Sequence, residues 1–314
     1  MSISEMGKPK QALLMLAPLL EEHEARLARD FELVRAFDPE AQAALLNDRP
    51  ERFGALVTNG VQGVPPALMT ALVNLSLIAV NGVGVDRMDV QQANGRGIRI
   101  ATTNDILTDA VADQAVALLL AVLRQVCVAD RFVRAGHWHR GGFPLLGTSL
   151  RGQRVGIIGL GRIGQAIASR LQPFGVTLAY HNRNAVPGCA YAYHADPRSL
   201  AEASDILVVA VAGGASTSHL VDTKVLDALG PQGVIVNVAR GTVIDEEEMV
   251  ARLQDGRLGG AALDVFTHEP QVPVALLELD NVVLQPHLGS ATLQTRRAMG
   301  DCVVQAVTEQ YGLQ

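Results

Sequence analysis

Three residues in the last third of the chain carry side chains suited to reducing a carbonyl: Arg240 before Gly241, Glu269 in His268-Glu269-Pro270, and His287 in Gln285-Pro286-His287. Histidines titrate near neutrality, so a residue such as His287 can hand a proton to a carbonyl oxygen. A carboxylate such as Glu269 can accept from the other ring nitrogen and fix the tautomer and the orientation of the ring. The guanidinium of Arg240 offers a planar fork that grips a substrate carboxylate and polarises the adjoining carbonyl. Each of the three follows its own apolar run, at 234–238, 261–265 and 282–284. Ligands gather at the carboxyl ends of strands in open α/β sheets. Spacing alone leaves open whether the three meet, and a loop carboxylate and a turn histidine are the plain alternatives.

Carbonyl reduction needs a hydride carrier, and Gly159-Leu160-Gly161-Arg162-Ile163-Gly164 is the pattern that cradles one. A bare GxGxxG is weak in a chain with 30 glycines. Here it follows an apolar run at 155–158 and opens a helical pattern with Ile163, Ile167, Leu171 and Phe174 on one face. That context is what the dinucleotide fingerprint requires. Gly159 suits the tight turn, Gly161 the approach of a pyrophosphate, and Gly164 the packing of helix on strand. The start of the helix presents unpaired N–H groups to phosphate. NAD sites usually carry a carboxylate after the second strand, to take the ribose 2′-hydroxyl. In that place the chain has His181-Asn182-Arg183-Asn184. No carboxylate stands there to repel a 2′-phosphate, and Arg183 offers it a guanidinium. NADP(H) is the expected cofactor, with NAD(H) the weaker reading, in which Asn182 alone holds the ribose and Arg183 is a solvated surface residue.

The elements that must position these groups read as alternating strands and helices. The chain has 314 residues, enough for about two domains. Its composition, 48% hydrophobic and 18% charged, supports a sizeable core rather than a disordered chain. Strands are expected at 12–16, 55–58, 77–79 and 98–101, and a helix at 21–31. A long, unusually apolar helical stretch follows over 109–134. A second alternation has strands at 155–158, 177–180, 206–211, 234–238, 261–265 and 282–284, and the chain closes on a helix from Thr292. Continuous apolar strands of this kind belong to parallel sheets covered on both faces.

The net charge of -6 argues against nucleic acid or an anionic membrane as the main partner. Cys127, Cys189 and Cys302 are too few and too scattered for a disulfide framework or a zinc site. His137 and His139 have a metal-like spacing without a third ligand, so no metal is expected. The opening MSISEMGKPK lacks the apolar stretch of a leader, and no apolar run is long enough for a membrane span. A cytoplasmic protein is expected.

Several segments together resemble the D-isomer-specific 2-hydroxyacid dehydrogenases, most closely the NADPH-dependent branch of glyoxylate/hydroxypyruvate and hydroxyphenylpyruvate reductases. They are Asn81-Gly82-Val83-Gly84-Val85-Asp86, VGIIGLGRIGQAIA at 155–168, the stretch from VNVARG at 236 to HEP at 270, and NVVLQPHLGSAT at 281–292. The resemblance runs over about residues 50–312 and is most specific between 236 and 292. It implies Arg240 as the substrate-binding arginine, Glu269 as the carboxylate that orients the histidine, and His287 as the acid/base. It also implies that Val83 and Gly84 hold the substrate carboxylate through backbone N–H groups. Ala239, Asp264, His287 and Gly289 would then lie near the cofactor, joining Gly159, Gly161, Arg162, Ile163, Gly164, Asn182 and Arg183. Trp138 would reach the substrate pocket of a neighbouring subunit in a homodimer, or else be a plain interface or core residue.

The implied fold is two doubly wound parallel-sheet domains, a Rossmann cofactor domain inserted into a flavodoxin-like substrate domain. The expected bounds are 1–98 and 284–314 for the substrate domain and 99–283 for the cofactor domain. Two departures from the family pattern stand out. Asn81-Gly82 precede the Val-Gly loop, and the stretch from Ala212 to Thr217 lacks the usual proline–leucine turn. The implied activity is NADPH-dependent reduction of a small 2-oxo acid, glyoxylate or hydroxypyruvate first, an aromatic 2-oxo acid or 2-ketogluconate next. A reading of another class is an NADPH-binding redox sensor or corepressor-like protein, told apart by absence of turnover.

Overall fold

Parallel ladders join all twelve strands among the described residues, and they fall into two separate sheets. The computed structural model describes residues 10–313. The opening nine residues, read above for a leader, lie outside the described residues.

One unit takes residues up to Leu107 together with those from Thr292 onward. Its strands are β1 (Gln11–Met15), β2 (Phe31–Arg35), β3 (Ala55–Thr58), β4 (Leu77–Val80) and β5 (Arg99–Thr102). They stand in the order β2-β1-β3-β4-β5, the flavodoxin-like arrangement. Strands β3 and β4 are buried at every residue, as expected for a sheet covered on both faces. The closing helix Leu293–Gln310 packs here, against β4 and helix Glu21–Asp30. Thr292 caps it by accepting the Thr295 N–H at 3.1 Å. Val303, Val304 and Val307 of this helix are buried with Leu13, Met15, Leu77 and Ala79.

The other unit takes Thr108–Ala291. Its strands are β6 (Arg154–Ile158), β7 (Thr177–His181), β8 (Ala192–His194), β9 (Ile206–Val209), β10 (Val234–Asn237), β11 (Gly260–Leu263) and β12 (Val282–Leu284). The order β12-β11-β10-β9-β6-β7-β8 starts the chain at β6, inside the sheet, and winds it outward in both directions. That is the dinucleotide-binding order, extended by a seventh strand. Helix Thr108–Leu123 lies over this sheet, burying Val111, Ala115, Leu118, Leu119 and Val122 against helix Arg162–Leu171 and strands β10 to β12. The spacing of those residues is that of one helical face.

Four expectations need correction. The boundary at 98/99 is too early, because Arg99–Thr102 pairs along its whole length with β4 and belongs to the first sheet. The return at 283/284 is also too early, since the segment up to Ala291 stays with the second unit. The helical stretch 109–134 is not one helix. It ends at Leu123 and resumes at Val126–Arg134 after a bend of 62°, with Gln125 in the left-handed region at φ 57. The first piece has a buried face, whereas the second buries none of its residues. The strand expected at 206–211 stops at Val209, because Val211 leaves the ladder to pass against Gly159.

Among the described residues no single helix is long and apolar enough to cross a membrane. Cys127, Cys189 and Cys302 are free thiols.

Candidate active site

The glycine-rich turn sits at the carboxyl end of β6, an interior strand between β9 and β7. Gly159 has φ +98, and a Cβ there would lie 2.6 Å from the backbone of Val211. A Cβ on Gly164 would stand 2.1 Å from the Gly159 carbonyl oxygen, so only glycine lets helix Arg162–Leu171 start this close to the strand. A Cβ on Gly161, by contrast, would meet nothing within 4 Å. Space is thus left open at the one glycine that borders a helix N-terminus, where backbone N–H groups attract phosphate. Arg162 is exposed beside it and Ile163 is half-buried.

The end of β7 is tied to this turn. Asn182 Oδ1 accepts the Leu160 N–H at 2.7 Å, so the side chain expected to hold a ribose also fixes the turn. Arg183 and Asn184 are exposed, and no carboxylate occupies positions 181–184. His181 is buried, with Nδ1 2.9 Å from the His194 carbonyl oxygen. The donor set fits a dinucleotide: an open glycine at a helix start, a side-chain amide tied to the turn, and an exposed cation, Arg183, next to that amide in sequence.

Arg240, Glu269 and His287 follow β10, β11 and β12, the neighbouring strands on one side of the sheet. His287 Nδ1 lies 2.9 Å from Glu269 Oε2, and Glu269 Oε1 accepts the Phe266 N–H at 3.0 Å. Both carboxylate oxygens are therefore engaged, and the carboxylate side chain, 12% exposed, is far more enclosed than the 31% exposed imidazole. With Nδ1 turned to the carboxylate, Nε2 is the ring nitrogen left for a substrate.

His287 is held by Asp264, a side chain 2% exposed at the end of β11. The Asp264 carbonyl accepts the His287 N–H at 2.9 Å, and its carboxylate accepts those of Leu288 at 2.7 Å and Gly289 at 2.8 Å. These bonds fix His287 at φ 56, a left-handed conformation unusual for a side chain of this size. Burial pushes the Asp264 carboxyl above the ordinary range, and the two N–H donors pull it back down.

The turn carrying Arg240 is locked to the Glu269 loop through Gly241. A Cβ on Gly241 would stand 2.0 Å from the Phe266 carbonyl carbon and 2.1 Å from the Thr267 nitrogen. Ala239 is buried, and its carbonyl accepts from Arg240 Nη1 at 2.7 Å. Asn237, which sequence reading did not single out, bonds both Ala239 and Arg240.

Val83 and Gly84 belong to the other unit, just past the end of β4, and both are half-buried. Their loop is held by bonds from Asn81 N–H to the Thr58 carbonyl at 2.8 Å and from Thr103 N–H to the Gly82 carbonyl at 2.9 Å. Trp138 stands apart on a short turn, 66% exposed. Among the described residues no group of three His, Cys, Asp or Glu side chains is placed to hold a metal.

Comparison with known proteins finds relatives along most of the chain. Residues 116–289 match the family model described as D-isomer specific 2-hydroxyacid dehydrogenase, NAD binding domain. The chain is 45% identical to glyoxylate/hydroxypyruvate reductase A of Arabidopsis thaliana over 292 residues, 93% of each chain. It is 44% identical to hydroxyphenylpyruvate reductase of Plectranthus scutellarioides, again over 93% of each. Its fold matches the crystal structure of the NADPH-dependent glyoxylate/hydroxypyruvate reductase of Sinorhizobium meliloti in complex with NADP and malonate. The TM-score is 0.90 and the identity 44%, covering 96% of this chain and 93% of that one.

Proposed function

The chain belongs to the D-isomer-specific 2-hydroxyacid dehydrogenases, and on that premise we propose that it reduces a 2-oxo acid to the D-2-hydroxy acid with NADPH, glyoxylate or hydroxypyruvate being the acid. The observation behind this reading is the Glu269–His287 pair at 2.9 Å, held on the loops after adjacent strands and locked to the Arg240 turn. Bound NADPH supplies the hydride that reaches C2 of the acid. His287 gives the carbonyl oxygen a proton from Nε2 while Nδ1 stays bonded to Glu269, which holds the ring in place. Arg240 takes the substrate carboxylate and draws electron density from the carbonyl. Gly159, Gly161, Arg162, Ile163 and Gly164 would hold the pyrophosphate, Asn182 and Arg183 the phosphorylated ribose, and Ala239, Asp264 and Gly289 the nicotinamide end. The protein works as a cytoplasmic homodimer in this reading, with Trp138 on the partner's substrate.

The cofactor choice rests on the absence of a carboxylate at 181–184 together with Arg183. It is supported by the NADP complex of the Sinorhizobium enzyme. The choice of acid rests on the relatives, whose names span glyoxylate, hydroxypyruvate and hydroxyphenylpyruvate.

The test is NADPH oxidation by the purified protein with glyoxylate, hydroxypyruvate, hydroxyphenylpyruvate, phenylpyruvate, pyruvate and 2-ketogluconate, repeated with NADH. Fastest turnover of glyoxylate or hydroxypyruvate with NADPH is expected. A clear NADH preference would overturn the cofactor assignment, and an aromatic or sugar acid as best substrate would overturn the choice of acid.

A further inference from the structure

Asn237 is the last residue of β10 and 1% exposed, a polar side chain closing an otherwise apolar strand. A buried amide is costly unless its hydrogen bonds are made. Here both halves are used on one turn. Asn237 Oδ1 accepts the Ala239 N–H at 3.0 Å, and Nδ2 donates to the Arg240 carbonyl at 2.9 Å. The same carbonyl accepts the Val243 N–H at 3.2 Å, so Asn237 also closes the short turn Gly241–Val243 that follows. The Asn237 main-chain carbonyl accepts the Asp264 N–H at 3.0 Å. Through that bond the residue is continuous with the aspartate whose carboxylate holds the loop of His287.

We propose that Asn237 is the positioning residue for Arg240, setting the backbone from which the guanidinium reaches the substrate carboxylate. This rests on the reading of Arg240 given above. No other side chain of this size offers one donor and one acceptor in that arrangement. An aspartate would keep the acceptor for Ala239 and turn a second oxygen toward the Arg240 carbonyl, so the turn must open. A serine is too short to span both partners. Misplacing a substrate-gripping group by about 1 Å can cost roughly 100-fold in rate.

The test compares Asn237→Asp and Asn237→Ser with the unaltered protein, each also in an Arg240→Ala background. Steady-state rates with hydroxypyruvate or glyoxylate are measured alongside NADPH binding by fluorescence, which also reports that the cofactor unit is folded. The expected result is a fall in kcat/KM of roughly 10- to 100-fold, with a raised KM for the acid and a loss of NADPH affinity well below the loss of activity, because Ala239 and Asp264 meet only the nicotinamide end of the cofactor. In the Arg240→Ala background the same substitutions should cost less than about threefold, because the group they position is gone. If Asn237→Asp does not bind NADPH, Asn237→Ser carries the comparison. Equal losses in both backgrounds, or NADPH affinity falling in step with activity in both variants, would overturn this proposal alone. Full activity of Arg240→Ala would overturn the reading of Arg240 and this proposal with it.

Discussion

Glu269→Gln is the sharpest perturbation of the proton-donating pair, because it changes charge at constant shape. Oε2 of the carboxylate lies 2.9 Å from His287 Nδ1, and Oε1 accepts from Phe266 N–H at 3.0 Å. Glutamine has one acceptor oxygen. If it faces His287, the amide NH2 meets the Phe266 N–H donor to donor. If it faces Phe266, the NH2 donates to Nδ1, so the ring can no longer keep a proton on Nδ1 while it gives one up from Nε2. Either way a charge-assisted bond is lost at a site where the carboxylate is 12% exposed. Such bonds contribute about 1.5–3 kcal/mol net, and about 1.36 kcal/mol is tenfold in rate. The expected loss in kcat/KM is therefore roughly 10- to 150-fold, with NADPH affinity little changed because Glu269 follows β11 whereas the glycine turn follows β6, a strand that is not adjacent. Steady-state rates against hydroxypyruvate, with NADPH binding measured separately, give both quantities. A variant within twofold of the unaltered protein would refute the role assigned to Glu269.

Arg183→Ala should weaken NADPH binding roughly 10- to 150-fold through loss of one charge-assisted contact while leaving NADH binding nearly as it was; titrations with both cofactors read the ratio, and parallel losses would count against a 2′-phosphate contact. Gly164→Ala puts a Cβ 2.1 Å from the Gly159 carbonyl oxygen, so helix and turn must separate at about 1–3 kcal/mol; lower Tm and weaker NADPH binding should appear together, and a variant that binds NADPH normally would show that the close approach is dispensable. Asp205 is one contributor to acid sensitivity, its carboxyl being held below the ordinary carboxylate range chiefly by its side-chain bonds to Arg154. A carboxyl lowered in the fold adds stability above its unfolded pKa and loses it as pH falls through the folded value. Asp205→Asn should therefore lower Tm at pH 7 and make little difference at pH 3, and a Tm difference that stays constant between the two pH values would contradict the linkage.

Much of this architecture is legible because buried parallel strands are continuous apolar runs. Segments 55–58 and 282–284 coincide with β3 and β12. Strands β2 and β8 escaped because they are edge strands with little apolar signal: Phe31–Arg35 is only partly buried, and Ala192–His194 is largely exposed. The bend at Gln125 has no glycine or proline to announce it, and only the left-handed φ and the loss of the buried face beyond Leu123 reveal it. Arg240, Glu269 and His287 were readable as chemistry, but their convergence was not, because it depends on Gly241 packing against the backbone of Phe266 and Thr267. Asn237 left one signal, a lone amide in the run Val-Ile-Val-Asn-Val, which a search for polar residues inside apolar strands would have caught.

Transfer of label tests the central claim most directly. NADPH carrying deuterium at C4 of the nicotinamide, in the position the enzyme removes, is incubated with hydroxypyruvate and the protein, and the glycerate is analysed by mass spectrometry and chiral chromatography. One deuterium at C2 of D-glycerate, formed in step with NADPH consumed and abolished by His287→Ala, is the predicted result. L-Glycerate, hydrogen at C2 drawn from solvent, or unchanged turnover by the His287 variant would contradict the assignment of hydride transfer and proton donation made here.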